Sequence, residues 1–318
     1  MLTYFLFFIG LIILIKGADL MVTGASSIAK KMNVSNLVIG LTIVAFGTSA
    51  PEMFVNVFAS TQGSPEIAIG NIIGSNIANI LLILGVSAII FPLAVQSTTV
   101  WKEIPFSLLA ALVLGILAND HLIDQKENSE LTRSDGLILL GFFIIFIYYI
   151  FSIARKSENA TKEEISQLSN LKSVVYIILG LTGLVLGGTW IIDGAVEIAS
   201  QFGVSEYLIG LTVIAVGTSL PELATSAVAA YKKDTDIAIG NVIGSNIFNI
   251  FWILGVSALI KPLPFKPSGN SDIAMAVFSS LLLFAILFIG KKNVMEKWQG
   301  VLFLMLYVGY IVFLIMGE

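Results

Sequence analysis

Apolar residues run in ten blocks along this chain, separated by short polar breaks, at about 2–25, 36–60, 66–90, 100–118, 135–153, 173–197, 206–230, 236–260, 271–290 and 298–316. A helix of about 20 residues rising 1.5 Å per residue crosses roughly 30 Å of hydrocarbon. The pattern therefore predicts ten transmembrane helices. The first block has no basic leader and no small-residue cleavage site, so it reads as a retained span and not as a signal peptide.

The polar residues inside the blocks recur. Gly40-Leu-Thr-Ile-Val-Ala-Phe-Gly-Thr-Ser-Ala-Pro-Glu52 returns 170 positions later as Gly210-Leu-Thr-Val-Ile-Ala-Val-Gly-Thr-Ser-Leu-Pro-Glu222. Ala68-Ile-Gly-Asn-Ile-Ile-Gly-Ser-Asn-Ile-Ala-Asn-Ile80 returns at 238–250 with 11 of 13 residues identical. The offset holds without a gap from Gly24/Gly194 to Pro92/Pro262. Each repeat carries five blocks, and an odd number of crossings turns the second copy upside down. The expected architecture is an all-α integral membrane protein of ten transmembrane helices, arranged as two inverted five-helix repeats. Residues 1–153 form the first repeat, 154–172 a polar linker and 173–318 the second repeat.

Composition agrees: 57% of residues are hydrophobic and 12% charged, with a mean hydropathy of +0.95, whereas soluble domains carry roughly 25% charged residues. The chain has no cysteine, so its sequence says nothing about disulfides or redox compartment. Charge placement orients the spans. With the N-terminus outside, twelve basic residues fall in inside loops (Lys30, Lys31, Lys102, Arg155, Lys156, Lys162, Lys172, Lys232, Lys233, Lys291, Lys292 and Lys297). Only four, Lys126, Arg133, Lys261 and Lys266, fall outside. The positive-inside rule then puts both termini outside and the linker in the cytoplasm. The acidic segment 119–135 reads as a solvated outer loop, and Lys16 and Asp19, three apart within the first span, are expected to pair.

A carboxylate inside a membrane span is costly and marks function by default. Here Glu52 and Glu222 supply the same one twice. Pro51 lacks an N–H and its ring crowds the carbonyl of Gly47, which predicts a helix opened around Ala45 to Thr48, with Pro221 doing the same in the second repeat. Such backbone is tolerated at membrane depth only where it lines a cavity or finds a partner. Thr48, Ser49, Thr218 and Ser219 add hydroxyls to the two carboxylates. A cluster of hard oxygens without histidine or cysteine suits Ca²⁺ and Na⁺ and does not suit zinc or copper. On the following span Asn71, Ser75 and Asn79 form one polar stripe, repeated by Asn241, Ser245 and Asn249. Gly70, Gly74, Gly240 and Gly244 offer small faces for close helix approach.

Gly-Thr-Ser-x-Pro-Glu and Gly-Asn-x-Ile-Gly-Ser-Asn-Ile, each present twice, resemble the two alpha-repeats of the sodium/calcium exchanger branch of the cation/calcium exchanger superfamily, in its compact prokaryotic form. The resemblance covers the whole chain. It implies that Glu52 and Glu222 are calcium ligands, with Thr48 and Thr218 helping through backbone oxygens. It implies sodium sites lined by Ser49, Ser219, Ser75, Ser245 and the carbonyls of Ala45 and Ala215. Asn79 fits the family pattern, whereas Asn249 stands where many relatives have aspartate, which leans away from potassium dependence.

These features together imply a secondary antiporter of the cytoplasmic membrane, not an enzyme, exchanging Na⁺ for Ca²⁺ by alternating access around a midplane site. The long first span of each half would slide past a fixed core. No cofactor, nucleic acid or obligatory protein partner is expected; the partners are the two ions and the bilayer. A Ca²⁺/H⁺ antiporter of the same fold and a cation channel are the alternatives the residues leave open.

Overall fold

The computed structural model describes residues 2–62, 65–125, 127–156, 168–201 and 215–316. Among these, seven helices are long and apolar enough to cross a membrane, and the bent pair Asn36–Thr48 and Ala50–Val57 makes an eighth. The helix Asn270–Ile286 is apolar but 17 residues long, just short of a full hydrocarbon thickness. The expected span at 206–230 lies partly outside the described residues; its described part comprises the helices Ala215–Thr218 and Leu220–Tyr231. Two short antiparallel ladders join loops at the helix ends, Leu93–Ala94 with Val294–Met295 and Ser129–Leu131 with Leu263–Phe265. They are the departure from an all-helical chain. The second pins part of the acidic segment expected to be a solvated loop.

Burial separates a core from a periphery. The spans Ala68–Ile90 and Thr235–Ile260 are each 78% buried, whereas Arg133–Ala154 is 17% buried. The outer helices present Phe54, Ile144, Tyr148, Phe151 and Met316 to their surroundings. A soluble protein would not leave so many large apolar side chains bare, and a bilayer covers them.

The two longest helices, Leu2–Lys31 and Asn170–Gln201, lie antiparallel along a seam of small residues. A Cβ added at Gly10 would stand 2.9 Å from the carbonyl oxygen of Gly187, and one at Gly17 2.9 Å from that of Gly180. At Gly24 it would meet the carbonyl of Ser173 at 2.8 Å. Without side chains in the way the backbones approach closely, which is how membrane helices associate when burial gives no hydrophobic gain.

At one end of the bundle Asp234 caps the helix Thr235–Ile247, accepting from the Ile237 N–H. It also accepts from Ser26 Oγ at 3.0 Å and Asn36 Nδ2 at 2.7 Å, tying three helices together. Asp19 does not pair with Lys16. Its Oδ1 lies 2.8 Å from Lys232 Nζ, because the end of Leu220–Tyr231 packs beside the first helix. Sequence spacing within one helix could not show that neighbour.

Candidate functional site

The segment carrying Glu52 is not one straight helix. A π-helical turn at Gly40–Val44 leads into Ala45–Thr48, the chain breaks at Ser49 (φ −81°, ψ 7°), and Ala50–Gln62 continues at a bend of 43°. Ser219 breaks the second repeat with φ −87° and ψ 6°. The opening is thus one residue wide and lies at Ser49, not over Ala45 to Thr48. The lost donor is that of Pro51, so the turn before it stays closed. The Ala45 carbonyl is accordingly occupied, accepting from Ser49 N at 3.0 Å and Thr48 Oγ1 at 3.3 Å. Ala215 opens the equivalent turn in the second repeat.

Each break aims its polar residues across to the other repeat. Ser49 Oγ donates to Glu222 Oε1 at 2.9 Å, and Ser219 Oγ donates to Glu52 Oε1 at 3.2 Å. Ser245 Oγ reaches the same Glu222 oxygen at 3.5 Å. Thr48 Oγ1 donates to Asn241 Oδ1 at 3.0 Å, and Thr218 Oγ1 to Asn71 Oδ1 at 3.4 Å. Both glutamates are 1% exposed. Thr48, Ser49, Ser75, Asn79, Thr218, Ser219, Ser245 and Asn249 are likewise buried. Across the repeats, hydrogen bonds thus bring Glu52, Glu222, Ser49 and Ser219 together, with Ser245 beside Glu222, and Thr48 and Thr218 pair with Asn241 and Asn71; Ser75, Asn79 and Asn249 are buried on the neighbouring spans.

Several oxygens there have no hydrogen-bond partner among the described residues: Glu52 Oε2, Glu222 Oε2, Ser75 Oγ, Asn79 Oδ1 and Asn249 Oδ1. A buried polar atom left unpaired costs about 1–3 kcal/mol, and the two glutamate oxygens are the charged ones that the crossed serines leave available to a group that accepts electron pairs. Among the described residues no group of three or more His, Cys, Asp or Glu side chains converges. The donor set is two carboxylates supplemented by hydroxyl and amide oxygens, which is oxygen chemistry for hard cations.

The halves are not identical. Asn241 Nδ2 donates to Ser226 Oγ at 2.9 Å and to the Glu222 carbonyl at 3.3 Å. In the first repeat Asn56 takes the place of Ser226 and itself donates to the Glu52 carbonyl at 2.8 Å, leaving Asn71 Nδ2 without a partner. A Cβ on Gly244 would stand 2.7 Å from Ala45 Cβ, and one on Gly240 2.9 Å from the Leu37 carbonyl, so these glycines let the helices approach closely; the face expected to meet Gly70 and Gly74 lies largely outside the described residues.

Sequence reasoning passed over two residues here. Asn76 and Asn246 are buried between the repeats and hydrogen-bond each other and the amides of Asn249 and Asn79. Both stand inside the most similar block of the repeat, but one position off its polar stripe.

The chain as a whole is similar to known proteins. The sodium/calcium exchanger protein family matches residues 2–152 and 172–316. A putative antiporter of Alkalimonas amylolytica is 42% identical over 311 residues, covering 95% of each chain. A sodium/calcium exchanger of Methanosarcina acetivorans is 32% identical over 343 residues, covering 98% of each chain. The solved structure of a sodium-calcium exchanger soaked with Na⁺ and Ca²⁺ superposes with a TM-score of 0.82 at 39% identity, covering 98% of each chain. With that fold, its apolar spans and its doubled motifs, this multi-pass membrane chain belongs to the sodium/calcium exchanger family of ion antiporters.

Proposed function

We propose that this protein exchanges Na⁺ for Ca²⁺ across the cytoplasmic membrane by alternating access, at one site built on Glu52 and Glu222. The observation that carries the reading is the crossed pairing of the two glutamates. Each is buried, each accepts from the serine of the opposite repeat, and each keeps a second oxygen unpartnered. Two carboxylates balance one divalent cation. Without a counter-ion they would cost several kcal/mol each at membrane depth, so the site favours being filled by one cargo or the other. Thr48, Thr218, Ser49, Ser219, Ser75, Ser245, Asn79, Asn249 and the carbonyls of Ala45 and Ala215 would complete the oxygen cages, the Ala45 carbonyl after exchanging a present donor for an ion. A proton-driven exchanger would need no such hydroxyl set.

The proposed topology is ten crossings in two inverted repeats, 1–153 and 173–318, joined by a cytoplasmic linker at 154–172 with both termini outside. Contacts at the helix ends support it. Leu93–Ala94 meets Val294–Met295, Lys31 meets Asn170, and Lys232 meets Asp19, all at the end assigned inside. Ser129–Leu131 meets Leu263–Phe265, and Asn119 meets Asn270, all at the end assigned outside. Among the described residues, no hydrogen bond, ion pair or strand pairing joins loops that the ten-crossing scheme would place on opposite sides. The closely packed pair Leu2–Lys31 and Asn170–Gln201 would slide as a unit past the buried core.

The test is radiolabelled Ca²⁺ uptake into proteoliposomes under imposed Na⁺, K⁺ or pH gradients. The reading requires uptake that saturates, depends on an outward Na⁺ gradient and ignores a pH gradient of equal size. Uptake driven by the pH gradient alone, or flux needing no counter-ion, would overturn it.

A further inference from the structure

At the heart of the interface between the repeats, four asparagines form a closed amide clasp. Asn76 Nδ2 donates to the backbone carbonyl of Asn246 at 3.2 Å, and Asn246 Nδ2 donates to the backbone carbonyl of Asn76 at 3.4 Å. A backbone carbonyl only accepts, so these two bonds fix which end of each side chain is nitrogen. The Oδ1 atoms of Asn76 and Asn246 must then point the other way, and each accepts one more amide. Asn79 Nδ2 donates to Asn246 Oδ1 at 2.9 Å, and Asn249 Nδ2 donates to Asn76 Oδ1 at 3.0 Å. The chain of constraint ends there. With their nitrogens held by the clasp, Asn79 and Asn249 are left with Oδ1 buried and unpartnered.

An asparagine amide is close to two-fold symmetric in shape, so packing alone does not choose between presenting its oxygen or its nitrogen. For a cation the difference decides the sign of the interaction. The π-helical turns Asn79–Ile83 and Phe248–Leu254 pack against the helices carrying Glu222 and Glu52 respectively, and an NH₂ group turned toward those carboxylates would compete with an ion for them.

We propose that Asn76 and Asn246 are positioning residues for transport: they hold the amides of Asn79 and Asn249 with the oxygens toward the ion site, and they do so crosswise, Asn246 for Asn79 and Asn76 for Asn249. The inference rests on the site reading above. Because the clasp joins residues 170 apart in sequence, it also sets both halves of the site with one device.

A double-mutant cycle on the Ca²⁺ concentration for half-maximal uptake tests it in the full-length protein. Asn246→Ala should raise that concentration roughly tenfold, the scale of one misdirected buried acceptor. Adding Asn246→Ala to Asn79→Ala should then cost nothing further, whereas adding it to Asn249→Ala should multiply the two losses. Asn76→Ala should show the mirror pattern, silent on Asn249→Ala and multiplicative on Asn79→Ala. Losses that multiply in all four combinations would overturn the proposal, because a merely structural clasp weakens every background alike. Asn246→Asp, measured at a pH low enough to keep the buried carboxyl protonated so that it retains both the acceptor for Asn79 Nδ2 and a donor to the Asn76 carbonyl, should return half-saturation to within about threefold of the unaltered protein at the same pH. It carries the test by itself where the alanine variants do not fold, and weakening beyond tenfold in folded protein would overturn the assignment. Glu52→Gln and Glu222→Gln in the same assay separate the failures. If they keep normal flux, the site reading falls and the positioning role falls with it. If they abolish flux while every cycle multiplies, the positioning role falls alone.

Discussion

Ser75→Ala removes one oxygen from a place where the free protein makes no use of it. Ser75 is fully buried and its Oγ has no hydrogen-bond partner among the described residues. A buried hydroxyl without a partner costs about 1–3 kcal/mol relative to one that is hydrogen-bonded, so its loss should not destabilise the ion-free protein. The apparent melting temperature without Na⁺ or Ca²⁺ should hold or rise. If that oxygen completes a sodium cage, the same 1–3 kcal/mol reappears as lost affinity, roughly five- to a hundredfold in the Na⁺ concentration for half-maximal exchange. Ca²⁺ should weaken less, because its binding draws chiefly on the charges of Glu52 and Glu222. Ser245→Ala should behave similarly, since its 3.5 Å contact with Glu222 lies beyond the usual 2.5–3.0 Å of an O–H···O bond. The assay pairs thermal unfolding in ion-free buffer with Na⁺ and Ca²⁺ titrations of flux. A lowered melting temperature with equal weakening of both ions would show a packing serine and refute the reasoning. If protons drive exchange, both variants should leave the flux nearly unchanged.

Glu52→Gln and Glu222→Gln should each abolish Ca²⁺ exchange in protein that still inserts and runs as a single species on size exclusion, because one charge no longer balances a dehydrated divalent ion; near-normal flux would contradict the central role of both. Single cysteines at Glu127 and Ser157, placed in a chain that has none of its own, should react with impermeant thiol reagents from opposite faces of the membrane, and same-side reaction would refute the inverted repeat. Gly180→Ala would set a Cβ 2.7 Å from Met21 N and 2.8 Å from the Gly17 carbonyl, so the seam must open at a cost of about 1–3 kcal/mol. Because the two helices would move together, the variant should lower the apparent melting temperature without a matching change in turnover; an unchanged melting temperature would refute the tight packing of the seam.

Much of this arrangement was legible in the sequence, for a physical reason. Inside a bilayer each polar residue needs a partner, so the few polar positions among the apolar blocks are read without competition from a solvated surface. That is why Glu52, Glu222 and their serines stand out, and why their repetition implied that they meet. What the sequence hid depends on geometry between helices. Asn76 and Asn246 sit one residue from the polar stripe, about 100° around the helix, and only the approach of the two repeats shows that each completes the other. The π-helical turns at Gly40–Val44 and Asn79–Ile83 also leave no mark in apolar periodicity, yet the first precedes a turn that stays closed until Ser49. Asp19 was assigned to the lysine nearest in sequence, whereas Lys232, distant along the chain, is its neighbour in space.

The crossed serines bear on how one site can serve two ions of different charge. Ser49 and Ser219 each spend their proton on the glutamate of the opposite repeat, so one oxygen of each carboxylate is hydrogen-bonded while the other stays free. At the proposed site, an ion bound by both free oxygens would draw on the carboxylates that the two serines hold, and through the serines on the breaks in both helices. On that proposal a divalent ion would satisfy both charges from one position, whereas monovalent ions would divide between positions that lean on Ser75, Ser245, Asn79 and Asn249. The two cargoes would therefore share Glu52 and Glu222 and compete for them. Competition for the same charges, and not a difference in shape, would make release of one the condition for binding the other, which is what coupled exchange requires.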